Sequence, residues 1–226
     1  MKKTPQKRIL ALLLALVLSA GAAPCALAAE SLESYADLDR SAWYAPGIRY
    51  CLKHDLMNGY GQRIKLFGPD AAMTRAQFAT ILWRMDGEPK AGLAMQYTDV
   101  PEGIWYEEAA RWALASDVMG GYTVLTFAPD DSITREQIAA ILWRYAKYRC
   151  GGELPTVADP SYEQYGDRNE VSDYAAEAME WACALGIVAG MQDKQGDVWL
   201  MPWGKSSRAV VATMLMRFCI DFGVYD

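Results

Sequence analysis

The sequence predicts a mainly α protein built from three helix-loop-helix repeats, and three observations carry that prediction. Short motifs recur along the chain at an offset of about sixty residues. Apolar residues within each copy follow a helical period, and capping residues mark where helices begin. Composition agrees: 226 residues, 52% hydrophobic and 22% charged, suit ordinary packed domains and exclude collagen, low-complexity tracts and wholesale disorder.

In chain order, the first element precedes the repeats. Met1 to Arg8 carries four cations, Ile9 to Ala23 is almost wholly apolar, and Ala26-Leu27-Ala28 gives a small-x-small cleavage pattern. Residues 1–28 therefore read as a secretory signal peptide. No later segment reaches about 18 uninterrupted apolar residues, so no membrane segment is expected after cleavage. Cleavage removes Lys2, Lys3, Lys7 and Arg8 and no acid, which takes the formal charge from −6 to −10. Nucleic acid and anionic lipid are not expected partners, because both need basic patches. Cys25 leaves with the signal, and Ala22-Ala23-Pro24 is a poor approach to a lipidated cysteine.

The repeats follow. Tyr35-Ala36-Asp37-Leu38 with Trp43-Tyr44 returns as Tyr97-Thr98-Asp99-Val100 with Trp105-Tyr106. Phe67-Gly68-Pro69-Asp70 returns as Phe127-Ala128-Pro129-Asp130, and Thr74-Arg75-Ala76-Gln77 as Thr134-Arg135-Glu136-Gln137. A more divergent third copy runs from Tyr165-Gly166-Asp167 through Tyr174 and Trp181 to Ser207-Arg208-Ala209 and Arg217. The units span residues 35–85, 97–146 and 165–219, and the Gly-, Pro- and Ser/Thr-rich segment from Lys147 to Gln164 reads as a surface linker.

Within a unit, the first helix is expected over Ala45 to Leu56, Glu107 to Val118, and about Ala175 to Leu185. Each runs toward a glycine (Gly59, Gly121, Gly190) suited to a left-handed or tight connection. A Pro-containing stretch (Phe67 to Pro69, Phe127 to Pro129, Leu200 to Pro202) then leads to the second helix, with apolar residues at i, i+3, i+4, i+7 such as Phe78, Ile81, Leu82 and Met85. Thr74-x-x-Gln77 and Thr134-x-x-Gln137 are capping boxes that satisfy exposed backbone N–H groups. The third copy keeps Ser207 but has Val210 in place of the glutamine, a weaker cap.

Arg75, Arg135 and Arg208 each follow the N-cap directly, at the positive end of the helix dipole, where a cation costs about 0.3–1 kcal/mol. Recurrence at one repeat position means that something offsets this cost. One reading is an anion site, with guanidinium, capping hydroxyl and free helix N–H groups converging on a carboxylate or phosphate. The other is a salt bridge to Asp37, Asp99 or Asp167. The anion reading expects stability near neutral when the arginine is removed, and the salt-bridge reading expects a loss. Trp43, Trp105 and Tyr174 also share one position, where flat rings suit either stacking on sugars or packing in the core. Trp83, Trp112, Trp143 and Trp181 lie on apolar helix faces and are assigned to the core, and Arg84, Arg144 and Arg217 need only helix capping as explanation.

Four cysteines remain after cleavage. Cys51, Cys150, Cys183 and Cys219 permit two disulfides, but Cys51 and Cys183 lie in apolar helical patterns and no CxxC exists, so buried free thiols are expected. The single histidine, His54, rules out a His-rich metal site, and Asp193 to Asp197 is too sparse for a calcium loop. No cofactor and no metal are expected.

Together, Asp-x-x-x-x-x-Trp, a helix ending near glycine, Phe-x-Pro and Thr-Arg-Ala/Glu-Gln resemble the S-layer homology domain of bacterial surface proteins. The resemblance covers all three units, although the family signature Thr-Arg-Ala-Glu reads here as TRAQ, TREQ and SRAV. It implies three units in a pseudo-threefold arrangement around a central helical bundle. It also implies non-covalent cell-surface anchoring, with grooves between repeats binding an anionic secondary cell-wall polymer that ends in a pyruvylated amino sugar. By position it carries over Asp37, Trp43, Gly59 and Arg75; then Asp99, Trp105, Gly121 and Arg135; then Asp167, Tyr174, Gly190 and Arg208. The third groove is expected to be weakest, since Tyr174 replaces a tryptophan and Val210 a glutamine. The rival classes are a structural surface protein that recruits a protein partner without sugar affinity, and a glycan hydrolase. No carboxylate pair stands out for the latter. The implied location is the bacterial cell wall or cell surface.

Overall fold

A computed structural model describes residues 31–225 apart from 62, 153, 155, 156, 158 and 159, so the signal-peptide reading of residues 1–28 lies outside the described residues. The chain is mainly helical. Six α-helices run as α1 (Ala45–Lys53), α2 (Arg75–Met85), α3 (Glu107–Ala115), α4 (Arg135–Cys150), α5 (Ala176–Ala184) and α6 (Arg208–Asp221). One short antiparallel hairpin, β1 (Met191–Gln192) with β2 (Val198–Trp199), sits between α5 and α6.

The first helix of each unit packs on the second helix of the unit before it: α3 on α2, α5 on α4, and α1 on α6. The last pair joins the two ends of the repeat array. At that crossing Gly47 lies so close to Thr213 that a Cβ would fall 2.7 Å from the Thr213 Cα. The helix faces between these pairs fill one core, from Ile48, Phe78 and Leu82 through Ile138 and Tyr145 to Leu215 and Phe218.

Backbone pairing ties the units in the same cyclic order. The Met73 N–H donates to Ser206 O, the Ser206 N–H to Ile133 O, and the Ile133 N–H to Met73 O, each at 2.9 Å. These residues directly precede the N-caps of α2, α4 and α6. The first N–H groups of each of those helices, which no helix can satisfy internally, donate into the next unit's loop. Arg75 N–H reaches Asp131 O (2.9 Å) and Ala76 N–H reaches Pro129 O (3.0 Å). Arg135 and Glu136 reach Gly204 O and Pro202 O, and Arg208 and Ala209 reach Ala71 O and Pro69 O. These bonds thus run from the first unit to the second, from the second to the third and from the third to the first. The capping boxes of Thr74 with Gln77 and Thr134 with Gln137 are formed on both sides, while Ser207 accepts only from Val210 N–H at 3.4 Å.

Two details differ from the sequence reading. α1 and α3 stop three residues early and α5 one, and the left-handed residue after each is Asp55 (φ 54°), Asp117 (φ 56°) or Gly186 (φ 68°), not the expected Gly59, Gly121 or Gly190. Gly59, Gly121 and Gly190 instead permit close approach: a Cβ on Gly121 would lie 2.2 Å from Thr126 O and 2.7 Å from the Tyr97 ring. The Gly59 and Gly121 N–H groups donate to the hydroxyls of Tyr35 and Tyr97. No disulfide joins the described cysteines; Cys51, Cys183 and Cys219 are buried, but Cys150 is exposed at the end of α4.

Gly47→Ala should lower stability by about 1–3 kcal/mol, the usual cost of overpacking, despite alanine's better helix propensity of about 1 kcal/mol. Thermal melting of the variant checks this, with a rise in melting temperature as the contrary result.

Candidate functional site

Each repeat aspartate holds the loop that precedes a second helix. Asp37 accepts from Phe67 N–H (2.8 Å) and Gly68 N–H (2.7 Å), one bond to each carboxylate oxygen. Asp99 does the same for Phe127 and Ala128, and Asp167 for Leu200 and Met201. The middle residue of each loop is left-handed: Gly68 (φ 68°), Ala128 (φ 58°) and Met201 (φ 53°). Two bonds to a charged acceptor hold a backbone turn that alanine and methionine disfavour.

The loop so fixed turns its carbonyls toward an arginine of the preceding unit. Arg75 Nε donates to Phe127 O (3.0 Å) and its Nη2 to Gly120 O (2.8 Å). Arg135 donates to Leu200 O (2.6 Å) and Ala189 O (2.7 Å), and Arg208 to Phe67 O (2.9 Å) and Asn58 O (2.6 Å). Aromatic faces complete two of the seats, with the Arg75 guanidinium 4.4 Å from the Tyr122 centroid and Arg208 4.7 Å from that of Phe67. All three arginines are buried, and burial pushes the pKa of each down. This geometry lacks the salt bridge of one alternative drawn from sequence and the free helix N–H groups of the other. No salt bridge joins these arginines to Asp37, Asp99 or Asp167 among the described residues, and the first helix N–H groups are occupied by carbonyls rather than free. The dipole cost is offset by inter-unit hydrogen bonds.

Arg75 and Arg135 also border cavities between units. One, of about 480 Å³, is lined by Arg75 of the first unit, Gly121, Gln137 and Arg144 of the second, and Tyr174 of the third. Another, of about 390 Å³, is lined by Arg135 of the second unit, Gly190, Val210 and Arg217 of the third, and Trp43 of the first. Each groove thus takes residues from all three units. By the same repeat positions, Arg208 would share a groove with Gly59, Gln77, Arg84 and Trp105. The third unit's replacements therefore fall in different grooves: Tyr174 sits with Arg75, and Val210 with Arg135.

Trp43, Trp105 and Tyr174 are 63%, 60% and 52% exposed, which decides against the core reading for all three. Trp112 and Trp181 are buried as expected, whereas Trp83 and Trp143 are only partly so. Sequence reasoning passed over Arg144 and Arg217 as helix caps, yet both line grooves. Their signal was a recurrence nine residues after the N1 arginine in every unit. It also missed Glu136, a buried acid where the other units have Ala76 and Ala209. Its carboxylate accepts from Ser172 N–H (3.0 Å), Ser172 Oγ (2.9 Å) and the Tyr174 hydroxyl (2.9 Å), and it lines the Arg75 groove. Burial and that carboxylate push the Tyr174 pKa up, so its phenol stays protonated.

A cyclic set of helical units with arginine-lined, aromatic-edged grooves is the framework of a binding module. The S-layer homology domain profile matches residues 34–79, 96–139 and 164–195, more than half of the sequence, and the chain belongs to that family. It is 33% identical to a cellulosome-anchoring protein of Acetivibrio thermocellus over 49% of this chain and 25% of that protein. It is 30% identical to a surface layer protein of Brevibacillus choshinensis over 63% of this chain and 13% of that one. An endoglucanase of Bacillus sp. (strain KSM-635) is 26% identical over 81% of this chain and 19% of the enzyme. The chain spans a quarter or less of the length of these relatives. Family membership places it outside the cell at the bacterial surface. Among the described residues no helix is long and apolar enough to cross a membrane.

Arg135→Ala should cost about 3–5 kcal/mol, since it removes two charge-assisted hydrogen bonds worth about 1.5–3 kcal/mol each and leaves the buried Leu200 carbonyl unpaired. Chemical denaturation measures this, and a variant as stable as the parent would contradict the clamp. Asp99→Ala should cost about 2–4 kcal/mol by the same reasoning, and Asp99→Asn, which keeps one acceptor, less.

Proposed function

We propose that the protein is a non-covalent cell-surface anchor that holds an anionic secondary cell-wall polymer in the grooves between its units. One observation carries the reading: two arginines, Arg135 and Arg217, line a single groove with the exposed ring of Trp43, and no acidic residue lines it. A guanidinium pair recognises a carboxylate, and an exposed indole suits the C–H face of a sugar ring. A carboxylate-bearing sugar, such as a pyruvylated amino sugar, combines both features. Support for anchoring comes from the relatives named as cellulosome-anchoring, surface layer and middle cell wall proteins. The endoglucanase match lends no weight to catalysis here, because it covers 19% of that enzyme. The ligand set of this reading is Asp37, Trp43, Gly59 and Arg75, Asp99, Trp105, Gly121 and Arg135, and Asp167, Tyr174, Gly190 and Arg208. Within it the aspartates and glycines act by holding the loops, and Arg144 and Arg217 join as groove residues.

The grooves are unequal for a reason tied to charge. Glu136 puts a carboxylate in the groove of Arg75 and Arg144, which repels an anion, whereas the groove of Arg135 and Arg217 has none. Unlike the buried clamps, Arg144 and Arg217 are part-exposed, so their removal tests binding without unlocking the units.

Arg217→Gln should weaken binding to purified wall sacculi about tenfold or more, and Arg144→Gln less, each with an unchanged melting temperature. Removal of the pyruvyl groups from the wall polymer should release the protein. Retention on sacculi stripped of those groups would sink the anion reading and favour a surface protein that docks to a partner instead.

A further inference from the structure

The third unit carries a cavity of about 560 Å³ that the grooves above do not account for. It lies against the hairpin of β1 and β2. Trp203 forms one wall, at the position held by Asp70 and Asp130 in the other units, and it is 64% exposed. Trp199 forms another, and its ring is fixed. The indole Nε1–H donates to Asp193 Oδ2 (2.8 Å), while Asp193 Oδ1 accepts from Gln195 and Asp197 N–H groups across the turn. Gly166 lets the ring approach the backbone closely, since a Cβ there would be 3.1 Å from it.

Two observations say what this cavity would hold. First, it is continuous with the Arg135 groove. Met191 and Gln192 line both, and Gly204, which also lines the cavity, accepts the Arg135 backbone N–H at 3.1 Å. Second, its charge is opposite. Asp167, Glu170 and Asp193 line it and no lysine or arginine does, whereas the neighbouring groove has two arginines and no acid. A second anionic group is therefore excluded, and two indole surfaces beside polar acceptors fit a sugar ring with its hydroxyls.

We infer that this cavity is a second sugar subsite, taking an uncharged sugar ring of the same polymer whose acidic residue sits between Arg135 and Arg217. The inference rests on the wall-polymer reading and adds a direction to it. The acidic end lies at the arginines, and the following sugars cross Met191 and Gln192 onto Trp203 and Trp199. A span of two or three rings then contacts all three units.

Calorimetric titration with two probes tests it: a pyruvylated amino sugar alone, and a di- or trisaccharide ending in that residue. The intact protein should bind the longer probe more tightly. Trp203→Ala should weaken the longer probe about three- to tenfold, the range for one lost aromatic contact, and leave the single sugar unchanged. Trp203→Phe should restore most of the gain. The exposure of Trp203 predicts an unchanged melting temperature for both variants. A gain from chain length that survives Trp203→Ala would overturn the subsite, as would no gain in the intact protein. If the intact protein binds neither probe, the wall-polymer reading itself fails and the subsite falls with it.

Discussion

The structure depends on one exchange, made three times: the start of each second helix is completed by the next unit. A helix leaves its first backbone N–H groups without internal partners. Here the N3 position is served locally by threonine or serine, but N1 and N2 are served by carbonyls of a neighbouring loop. Those carbonyls are available only because an aspartate holds the loop in a left-handed turn. The arginine side chain beside them adds one further bond to the same loop and one to the residue before Gly121, Gly190 or Gly59. No unit can satisfy its own helix terminus in this way. Isolated, each would bury neither its helix faces nor these polar groups, so the array folds as a closed set.

That exchange also builds the grooves. Because Arg75 must reach the loop of the second unit, and Arg135 that of the third, each arginine lies at a seam. The exposed aromatic of the remaining unit then comes to the same seam, as Trp43 does beside Arg135. A groove is thus a property of the ring rather than of a repeat, and a substitution within one repeat acts in the groove where its side chain lands. Glu136 illustrates this. It belongs to the second unit, takes its hydrogen bonds from Ser172 and Tyr174 of the third, and alters the groove headed by an arginine of the first.

Much of this was legible in the sequence, for physical reasons. Helical period and capping boxes are local signals, so α2 and α4 start where Thr74 and Thr134 say they start. The recurrence of Arg75, Arg135 and Arg208 showed that an unfavourable dipole term was being offset, although not by what. The partners were hidden because they are backbone carbonyls, which have no sequence signature. Gly59, Gly121 and Gly190 misled because a glycine required by a close aromatic ring looks the same in sequence as one required by a left-handed turn. The hairpin of the third unit was invisible for its shortness, two residues a side. Trp43 and Trp105 were ambiguous because an aromatic at a helix start gives no period from which to read its face.

The arginines divide into two sets. Arg75, Arg135 and Arg208 are buried and committed through Nε and Nη2 to the seams, so the ring cannot lose them without opening. Arg144 and Arg217 lie nine residues on, part-exposed, along the same helices and over the same cavities. They carry charge into the groove without being required for closure. Stability therefore constrains the first set and leaves the second, together with Trp43, Tyr174 and Trp203, open to variation. On the proposed function, ligand preference is set at the rim, on a frame whose positive charges are already held in place.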